Sequence, residues 1–212
     1  MEIKFSNIIP APIPDKDIKT SEIWSRDIAF KSGEKYLIYA ESGKGKTTFV
    51  NIIFGKRKDY TGNAYIDNQI IKGIKDKDFS EIRRSKISIV PQGLNLFPDL
   101  SLIENIRIKN RITNHKSESE IQEMIDLLEL SGMENRKAGK MSFGQRQRTA
   151  IIRALCQDFD FILLDEAFSH LDKRNTQIAW QLISSEADKK NASVISTSLT
   201  SEFDNNITKL MV

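Results

Sequence analysis

The sequence predicts an α/β fold with a mainly parallel β-sheet, a small antiparallel β subdomain and a helical insert. Short apolar runs alternate with segments whose apolar residues recur at helical spacing, and this alternation is typical of βαβ units. One weakly alternating segment contains a hairpin turn signal, which indicates antiparallel strands. The range 93–140 lacks a strand-like run. The chain of 212 residues is expected to form a single domain over residues 1–212.

The amino-terminal part is expected to begin with a short strand and a proline-rich loop. The loop is placed at Ile8–Pro14 because that segment contains three of the five prolines. Tyr36–Ala40 is an apolar run flanked by glycines, as expected of a strand buried on both faces. Ala64–Ile71 alternates around Asp67-Asn68, which predicts a hairpin.

Three further strands are predicted at Ile87–Val90, Phe161–Leu164 and Ser193–Ser196. Two segments between the strands place apolar residues on one helical face. The first is expected to be capped by Ser117 or Ser119 and has the apolar positions Ile121, Met124, Ile125 and Leu128. The apolar positions of the second are Ala150, Ile151, Ala154 and Leu155. The range from about 93 to 140 is predicted to be the helical insert.

Composition argues against several classes of function. The 32 basic and 29 acidic side chains give a net charge of +3, too weak an asymmetry to predict a nucleic-acid partner. Cys156 is the single cysteine, which excludes a disulfide framework and is typical of a reducing compartment. The two histidines, His115 and His170, have no cysteine set beside them, which argues against a His/Cys metal site. We expect no signal peptide and no direct membrane insertion, because the apolar runs are strand-sized.

The segment after the strand Tyr36–Ala40 has the pattern of a phosphate-binding loop. It lies between that strand and the apolar stretch Phe49–Phe54, which suits a helix, and this setting predicts a P-loop NTPase core. We expect Lys46 to reach the β- and γ-phosphates of a nucleotide and the Thr47 hydroxyl to hold Mg²⁺. The residues expected to bind the nucleotide are Ser42, Gly43, Lys44, Gly45, Lys46, Thr47 and Thr48. The pattern normally begins with glycine; Ala40 is acceptable there if its φ is negative, and a Gly/Lys-rich surface turn is the alternative.

Two acids follow the apolar strand that begins at Phe161. A strand that ends in Asp165 and Glu166 delivers both carboxylates to the edge of the sheet where α/β proteins bind ligands. Asp165 is expected to bind Mg²⁺, and Glu166 is expected to polarise an attacking water molecule. Taken alone, the two acids could equally begin a solvated loop.

A third segment distinguishes among phosphate-loop proteins. Met141–Gln145 is a Ser-x-x-Gln capping box at a helix start, and it also resembles the Leu-Ser-Gly-Gly-Gln signature of the ATP-binding cassette (ABC) family. The order of elements matches that family too: phosphate loop, a glutamine loop at Val90–Gln92, signature, the Asp165-Glu166 strand, and Ser169–Asp172, which resembles the D-loop. Five elements in order are far more specific than any one of them.

The resemblance implies that two copies face each other head to tail, with each ATP between one copy's phosphate loop and the other's signature. Ser142, Gly144 and Gln145 would then bind the γ-phosphate held by the partner's loop. Gln92 would contact Mg²⁺ and the attacking water. Asp172 would lie at the interface of a symmetric homodimer.

Four departures from the family pattern bear on activity. Phe143 replaces the first glycine of the signature, and Ala167 replaces the proline that follows the catalytic acid. Val194–Ser198 aligns with the last core strand, which puts Ser198 at the position of the family's catalytic switch histidine. No aromatic residue lies between Ser6 and Ile23 to stack on adenine; Trp24 is the nearest ring and is expected to pack in the core. With Glu166 retained, we expect a functioning but slow ATPase.

The function implied is that of the ATP-hydrolysing subunit of an ABC transporter, which energises a separate transmembrane permease. Such a subunit would be cytoplasmic and peripheral on the inner face of the membrane. The segment Gln92–Leu100 resembles the permease-docking region of the family, so Leu96 and Phe97 are docking candidates, although both could fill the core of the insert. The alternatives are a soluble cassette that remodels a cytosolic complex and a slow nucleotide-binding regulator.

Overall fold

The computed structural model describes residues 1–200 and 207–212, and a five-stranded parallel sheet lies at its centre. From edge to edge the strands are β6 (Ile87–Val90), β7 (Phe161–Asp165), β8 (Ser193–Ser198), β3 (Lys35–Tyr39) and β9 (Thr208–Met211). Every neighbouring pair is parallel. The resemblance placed the last core strand at Val194–Ser198, and this was wrong: β9 follows in the chain and adds an edge strand beside β3.

The central sheet is buried on both faces, as its continuous apolar strands predict. Along β7, Phe161 and Leu163 belong to one apolar cluster, whereas Ile162 and Leu164 belong to the other. The second cluster includes residues of α6 (Phe143–Leu155) and α7 (Lys173–Asp188). The first includes residues of α2 (Lys46–Ile53), α3 (Asp76–Ser85) and the antiparallel sheet.

The antiparallel sheet confirms the predicted β subdomain and its hairpin. Its strands, in spatial order, are β2 (Asp27–Lys31), β1 (Glu2–Pro10), β4 (Tyr60–Ile66) and β5 (Gln69–Ile70). The turn between β4 and β5 is Asp67-Asn68, with Ile66 paired to Gln69.

The predicted loop at Ile8–Pro14 begins too early. Strand β1 continues to Pro10 after an irregularity between Ser6 and Ile9, and a proline is tolerated at the end of a strand. The helix α1 (Asp15–Thr20) follows this loop.

The range 93–140 contains two helices, α4 (Leu102–Asn110) and α5 (Glu118–Leu127), and a 3₁₀ turn at Ala138–Lys140. Ser117, rather than Ser119, caps α5 through a capping box with Glu120. The four predicted apolar positions of this segment are buried, as are those of α6. Within the described ranges no helix has the length and apolar character needed to cross a bilayer.

Candidate nucleotide-binding site

The loop after β3 has the backbone geometry of a phosphate cradle. Gly43 and Gly45 have φ values of 80° and 107°, which L residues rarely adopt. A Cβ at Gly45 would also lie 3.0 Å from Cδ1 of Ile13 and 3.2 Å from Nε1 of Trp24. Ala40 does not have a positive φ, so alanine meets the condition set for that position.

Lys46 is the first residue of α2 and points into the cradle. Its side chain is only 3% exposed, and its Nζ donates to the backbone oxygens of Ala40 (2.8 Å) and Glu41 (2.9 Å). The Nζ also lies 3.3 Å from Oε1 of Glu166. Since the first N–H groups of a helix have no acceptor within it, α2 adds partial positive charge beside this ammonium group. The arrangement can bind an anion such as a phosphate.

Two other predicted residues of the loop use their side chains elsewhere. Lys44 forms an ion pair with Asp17 of α1 at 2.8 Å, and this hydrogen bond raises the pKa of Lys44. The Thr48 hydroxyl accepts a hydrogen bond from Arg57 at 2.8 Å. The Lys44 ammonium group is therefore engaged away from the cradle, whereas the Thr48 hydroxyl accepts one hydrogen bond and keeps its own proton to donate. Ser42 is exposed on the loop.

The acids at the end of β7 have different surroundings. Asp165 is buried, and burial raises the pKa of its carboxyl above the ordinary value; hydrogen bonds from Thr197 and Thr47 oppose part of that rise. Glu166 is partly exposed and has a φ of 52°, an uncommon backbone conformation for a side chain of this kind. In such a pair, the buried carboxylate can hold a cation, and the more accessible carboxylate can exchange a proton with water.

Three oxygen-bearing side chains converge where Mg²⁺ was predicted. The Thr47 hydroxyl lies 3.3 Å from Oδ1 of Asp165 and 3.5 Å from Oε1 of Gln92. Hydroxyl, amide and carboxylate oxygens are ligands that suit Mg²⁺, which also keeps several waters and binds phosphate oxygens. In the part of the chain that is described, no three His, Cys, Asp or Glu side chains form a metal cluster. The oxygens of Thr47, Gln92 and Asp165 fit a cation that is shared with a nucleotide.

Gln92 connects the oxygen cluster to the second acid. Its Nε2 donates to Oε2 of Glu166 at 3.1 Å, while its Oε1 faces Thr47. The structure thus brings together Lys46, Thr47, Gln92, Asp165 and Glu166, which lie in three separate parts of the sequence.

Thr197 is a residue of this site that the sequence analysis missed. Its hydroxyl donates to Oδ1 of Asp165 at 3.0 Å and accepts from the backbone N–H of Glu166 at 3.0 Å. The strand order explains the contact, because β8 lies between β3 and β7 and pairs Thr197 with Asp165. One signal in the sequence pointed to Thr197: it directly precedes Ser198, a residue already predicted to lie at the site.

Ser198 is the last residue of β8 and lies at the same end of the sheet as Asp165 and Glu166. Its backbone oxygen accepts from Ala40, and its Oγ accepts from the N–H of Thr200 at 3.2 Å. A cavity of about 270 Å³ adjoins it and is lined by Glu166, Phe168, Ser169, Thr176, Thr197, Ser198 and Leu199. Ser198 therefore borders the same space as Glu166.

The signature segment forms the start of α6. The Oγ of Ser142 accepts from the N–H of Gln145 at 3.2 Å, and Oε1 of Gln145 accepts from the N–H of Ser142 at 3.0 Å. The capping box is confirmed, and it uses the side chain of Gln145 within the helix end. Gly144 packs closely against the backbone of His170, where an added Cβ would lie 3.3 Å from the carbonyl oxygen. Asp172 is exposed and caps α7.

The structure also decides three residues for which packing was the alternative. Trp24 is fully buried and packs with Phe5, at a centroid distance of 6.3 Å, so its core role is confirmed. Leu96 is partly buried against the core of the insert. Phe97 is 53% exposed and therefore does not fill that core.

Known proteins resemble this chain over most of its length. The family model described as ABC transporter matches residues 25–169. The uncharacterized ABC transporter ATP-binding protein MJ0796 of Methanocaldococcus jannaschii is 33% identical over 178 residues, which cover 80% of this chain and 76% of that protein. The lipoprotein-releasing system ATP-binding protein LolD 1 of Chlorobium chlorochromatii is 30% identical over 171 residues, covering 79% and 70%.

Coverage of a longer relative is smaller. The glycine betaine transport ATP-binding protein OpuAA of Bacillus subtilis is 34% identical over 149 residues, and this match covers 69% of the chain but 36% of that protein. The chain thus spans about a third of the length of this longer relative.

Solved structures agree in fold. The dimeric structure of MJ0796, a bacterial ABC transporter cassette, superposes with a TM-score of 0.82 at 28% identity and covers 99% of this chain and 94% of that one. A dimeric post-hydrolysis state of the same cassette, bound to ADP and Pi, has a TM-score of 0.78 at 28% identity, covering 92% and 87%. Together with the site geometry, these matches show that the chain belongs to the ABC transporter family as one of its ATPase cassettes.

Proposed function

We propose that this cassette uses ATP and Mg²⁺ to energise a separate membrane permease, and that two copies act head to tail. The observation that carries the proposal is the convergence of Lys46, Thr47, Gln92, Asp165 and Glu166 within direct contact at the end of the parallel sheet. Residues 1–212 would act as a single ATPase domain, with the range 93–140 as its helical subdomain.

Each residue of the site has a role that follows from its contacts. Lys46 exchanges the carbonyls of Ala40 and Glu41 for phosphate oxygens, since its ammonium group is already held at the cradle. Thr47, Gln92 and Asp165 would hold the cation, which when bound neutralises developing charge on the phosphates. Glu166 orients the attacking water and accepts its proton. Gln92 holds the Glu166 carboxylate by donating from its Nε2 to Oε2 of Glu166.

In the proposed dimer, the signature of one copy meets the ATP held by the other. Ser142 accepts from the helix end through its Oγ, so its own hydroxyl proton can be donated to a γ-phosphate. Gly144 and Gln145 would contribute the positive end of α6. Support comes from the dimeric form of the similar cassette MJ0796.

The substitution at Ser198 is expected to make the cassette slow. A serine at this position, bonded to Thr200, cannot provide the imidazole contact to a γ-phosphate that the family places there. Because that contact would act in the transition state, its loss lowers kcat more than it weakens ATP binding.

The permease is expected to dock on the helical insert near Phe97. An aromatic side chain that is 53% exposed beside α4 is a suitable anchor for an apolar coupling segment. Relatives named as transport system subunits support a transporter role, which would place the cassette on the inner face of the membrane.

The test is co-purification of a Glu166→Gln variant from membranes in the presence of ATP. We expect a multi-span membrane protein to be recovered, and we expect Phe97→Ala in the same background to reduce its recovery. Ile70→Ala, which alters an exposed apolar residue on β5, is the matched control and should leave recovery unchanged. Recovery of soluble partners alone would overturn the permease role in favour of remodelling a cytosolic complex.

A further inference from the structure

An aromatic contact joins the signature segment to the loop that follows the catalytic acid. Phe143 is the first residue of α6, and His170 lies between β7 and α7. Their ring centroids are 4.3 Å apart, with an interplanar angle of 51°. The guanidinium of Arg146 lies over the ring of Phe143, at 5.1 Å from its centroid. The bulky Phe143 side chain at this signature position is therefore in contact with both His170 and Arg146.

Hydrogen bonds extend this contact to the backbone of Glu166. Nδ1 of His170 lies 2.9 Å from the Oγ of Ser169. The buried Gln147 of α6 donates from Nε2 to that same Oγ at 3.3 Å and to the backbone oxygen of Glu166 at 3.4 Å. The N–H of Ser169 also donates to the Glu166 oxygen, at 3.2 Å. The imidazole thus belongs to a network that ends on the peptide of the catalytic acid.

The peptide at Glu166 needs such support. Its φ of 52° is costly for a residue with a side chain, and conformations of this kind persist only when the surroundings hold them. Ala167 follows in place of a proline, so the chain itself restricts this turn less. Contacts made by neighbouring residues must therefore fix the direction of the Glu166 carboxylate.

We propose that His170, packed on Phe143 and bonded to Ser169, is a positioning residue that holds the Glu166 turn in its reactive geometry. The inference rests on the proposed role of Glu166 as the base. It gives Phe143 a function, because the ring supplies the surface against which the imidazole is fixed. Within one copy, the phosphate loop rather than this ring pair would bind the nucleotide.

Three variants of His170 separate the ring contact from the hydrogen bond. His170→Phe keeps the ring and loses the nitrogen, His170→Asn keeps an acceptor for Ser169 and loses the ring, and His170→Ala loses both. We expect His170→Ala to lower kcat about tenfold with little change in the KM for ATP, and we expect the other two to retain part of the rate. Thermal unfolding of each variant identifies any general loss of structure.

A double-mutant cycle with Phe143→Ala tests the contact itself. If the pair acts as one unit, the double variant should be no more than about twofold slower than the slower single variant. His170→Ala combined with Ile70→Ala should instead show multiplied effects, because Ile70 lies on the distant antiparallel sheet.

Two outcomes would overturn the positioning role: an unchanged kcat in His170→Ala, or fully multiplied losses in the cycle. If His170→Ala combines an unchanged kcat with a lower melting temperature, the contact between Phe143 and His170 stabilises the fold and has no role in catalysis. The base assignment fails separately. If Glu166→Gln keeps full activity, then Glu166 is not the base, whatever the cycle shows.

Discussion

At the scale of single residues, the two acids of the site depend on one hydroxyl group. Thr197 both donates to Asp165 and accepts from the N–H of Glu166, so it fixes the buried carboxylate and the strained peptide at once. A hydroxyl can do this because it has one proton to donate and lone pairs that accept. Replacing it should affect catalysis more than folding.

We expect Thr197→Val, which conserves shape, to lower kcat about tenfold. The valine would leave the partly buried N–H of Glu166 without its partner, at a cost of about 1 kcal/mol or more, and would free the peptide that carries the Glu166 side chain. Steady-state ATP hydrolysis across a range of Mg²⁺ concentrations measures the effect. Thr197→Ser, which keeps the hydroxyl, is the control and should remain close to the original rate. Equal rates in the two variants would contradict the prediction.

Ser198 is the residue at which a gain of activity is expected. The cavity beside it, about 270 Å³ in volume and bordered by Glu166, can accept a larger side chain. Ser198→His should therefore raise kcat about tenfold or more by adding a donor to the transition-state phosphate, and it should leave the KM for ATP nearly unchanged. The measurement is hydrolysis by the purified protein.

Thr200→His, two positions further along, is the matched control for Ser198→His, because Thr200 is exposed and is not among the residues that line the cavity. It adds the same imidazole but is expected not to accelerate hydrolysis. An unchanged rate in Ser198→His would mean that the missing histidine is not what limits this cassette.

At the scale of elements, the sequence predicts the strands of the site better than their order. β3 and β7 are recognisable apolar runs, β8 is recognisable by its β-branched residues, and the polar residues that follow β3 and β7 are visible as motifs. That β8 lies between the other two follows from tertiary packing, which no local pattern records. Thr197 was missed for this reason, whereas Lys46, Asp165 and Glu166 were found.

The departures from the family pattern show a similar division. Phe143 and His170 stand out in the sequence, but they are 27 positions apart, and only the fold brings their ring centroids to 4.3 Å. The predicted loop began too early in the chain, at Ile8. Residues up to Pro10 belong to β1, because β1 pairs with β2 and β4 and the pairing with β4 extends to Pro10. Local patterns thus describe elements, and pairing decides where they end.

An ion pair attaches the helical insert to the core through α7. Nζ of Lys116, just before α5, lies 2.7 Å from Oε2 of Glu186, and both side chains are less than a tenth exposed. Burial acts to raise the pKa of Glu186, but hydrogen bonds from Lys116 and Lys189 outweigh it and lower that pKa overall. Glu186 therefore contributes stability that depends on its charge.

This dependence predicts a specific acid sensitivity. Because the folded pKa of Glu186 lies below the unfolded value, its contribution is present above about pH 4.5 and is lost as the pH falls through the folded pKa. Glu186→Gln should lower the free energy of unfolding by about 2 kcal/mol at pH 7, and the difference from the original chain should shrink on acidification. Urea unfolding between pH 7 and pH 3 measures it.

The control for that titration is Glu123→Gln on the exposed side of α5. It removes a carboxylate without breaking the attachment to α7, so its unfolding free energy should stay within about 0.5 kcal/mol of the original chain. A constant difference between Glu186→Gln and the original chain at every pH would contradict the linkage.

At the scale of the whole molecule, the proposed head-to-tail dimer would divide each site between two copies. The phosphate cradle and both acids lie at the end of the parallel sheet, whereas Ser142 and Gly144 lie at the start of α6, where Gly144 packs against the backbone of His170. An exposed Ser142 next to a helix N-terminus is free to meet a phosphate brought by a second copy. ATP would therefore bind two copies together, and its hydrolysis would release them.

Glu166→Gln should consequently form a stable dimer in ATP and Mg²⁺ and remain monomeric without nucleotide, as measured by sedimentation velocity. Removing the base blocks the step that opens the dimer while leaving the cradle of Lys46 intact. Lys46→Ala in the same background is the control, and it should stay monomeric because the phosphates lose their ammonium partner. A Glu166→Gln protein that stays monomeric at saturating ATP would contradict the head-to-tail arrangement. Since Ser198 is expected to slow hydrolysis, the unaltered chain should itself show a dimer that persists for the time of one turnover, and Ser198→His should shorten that time in proportion to its gain in kcat.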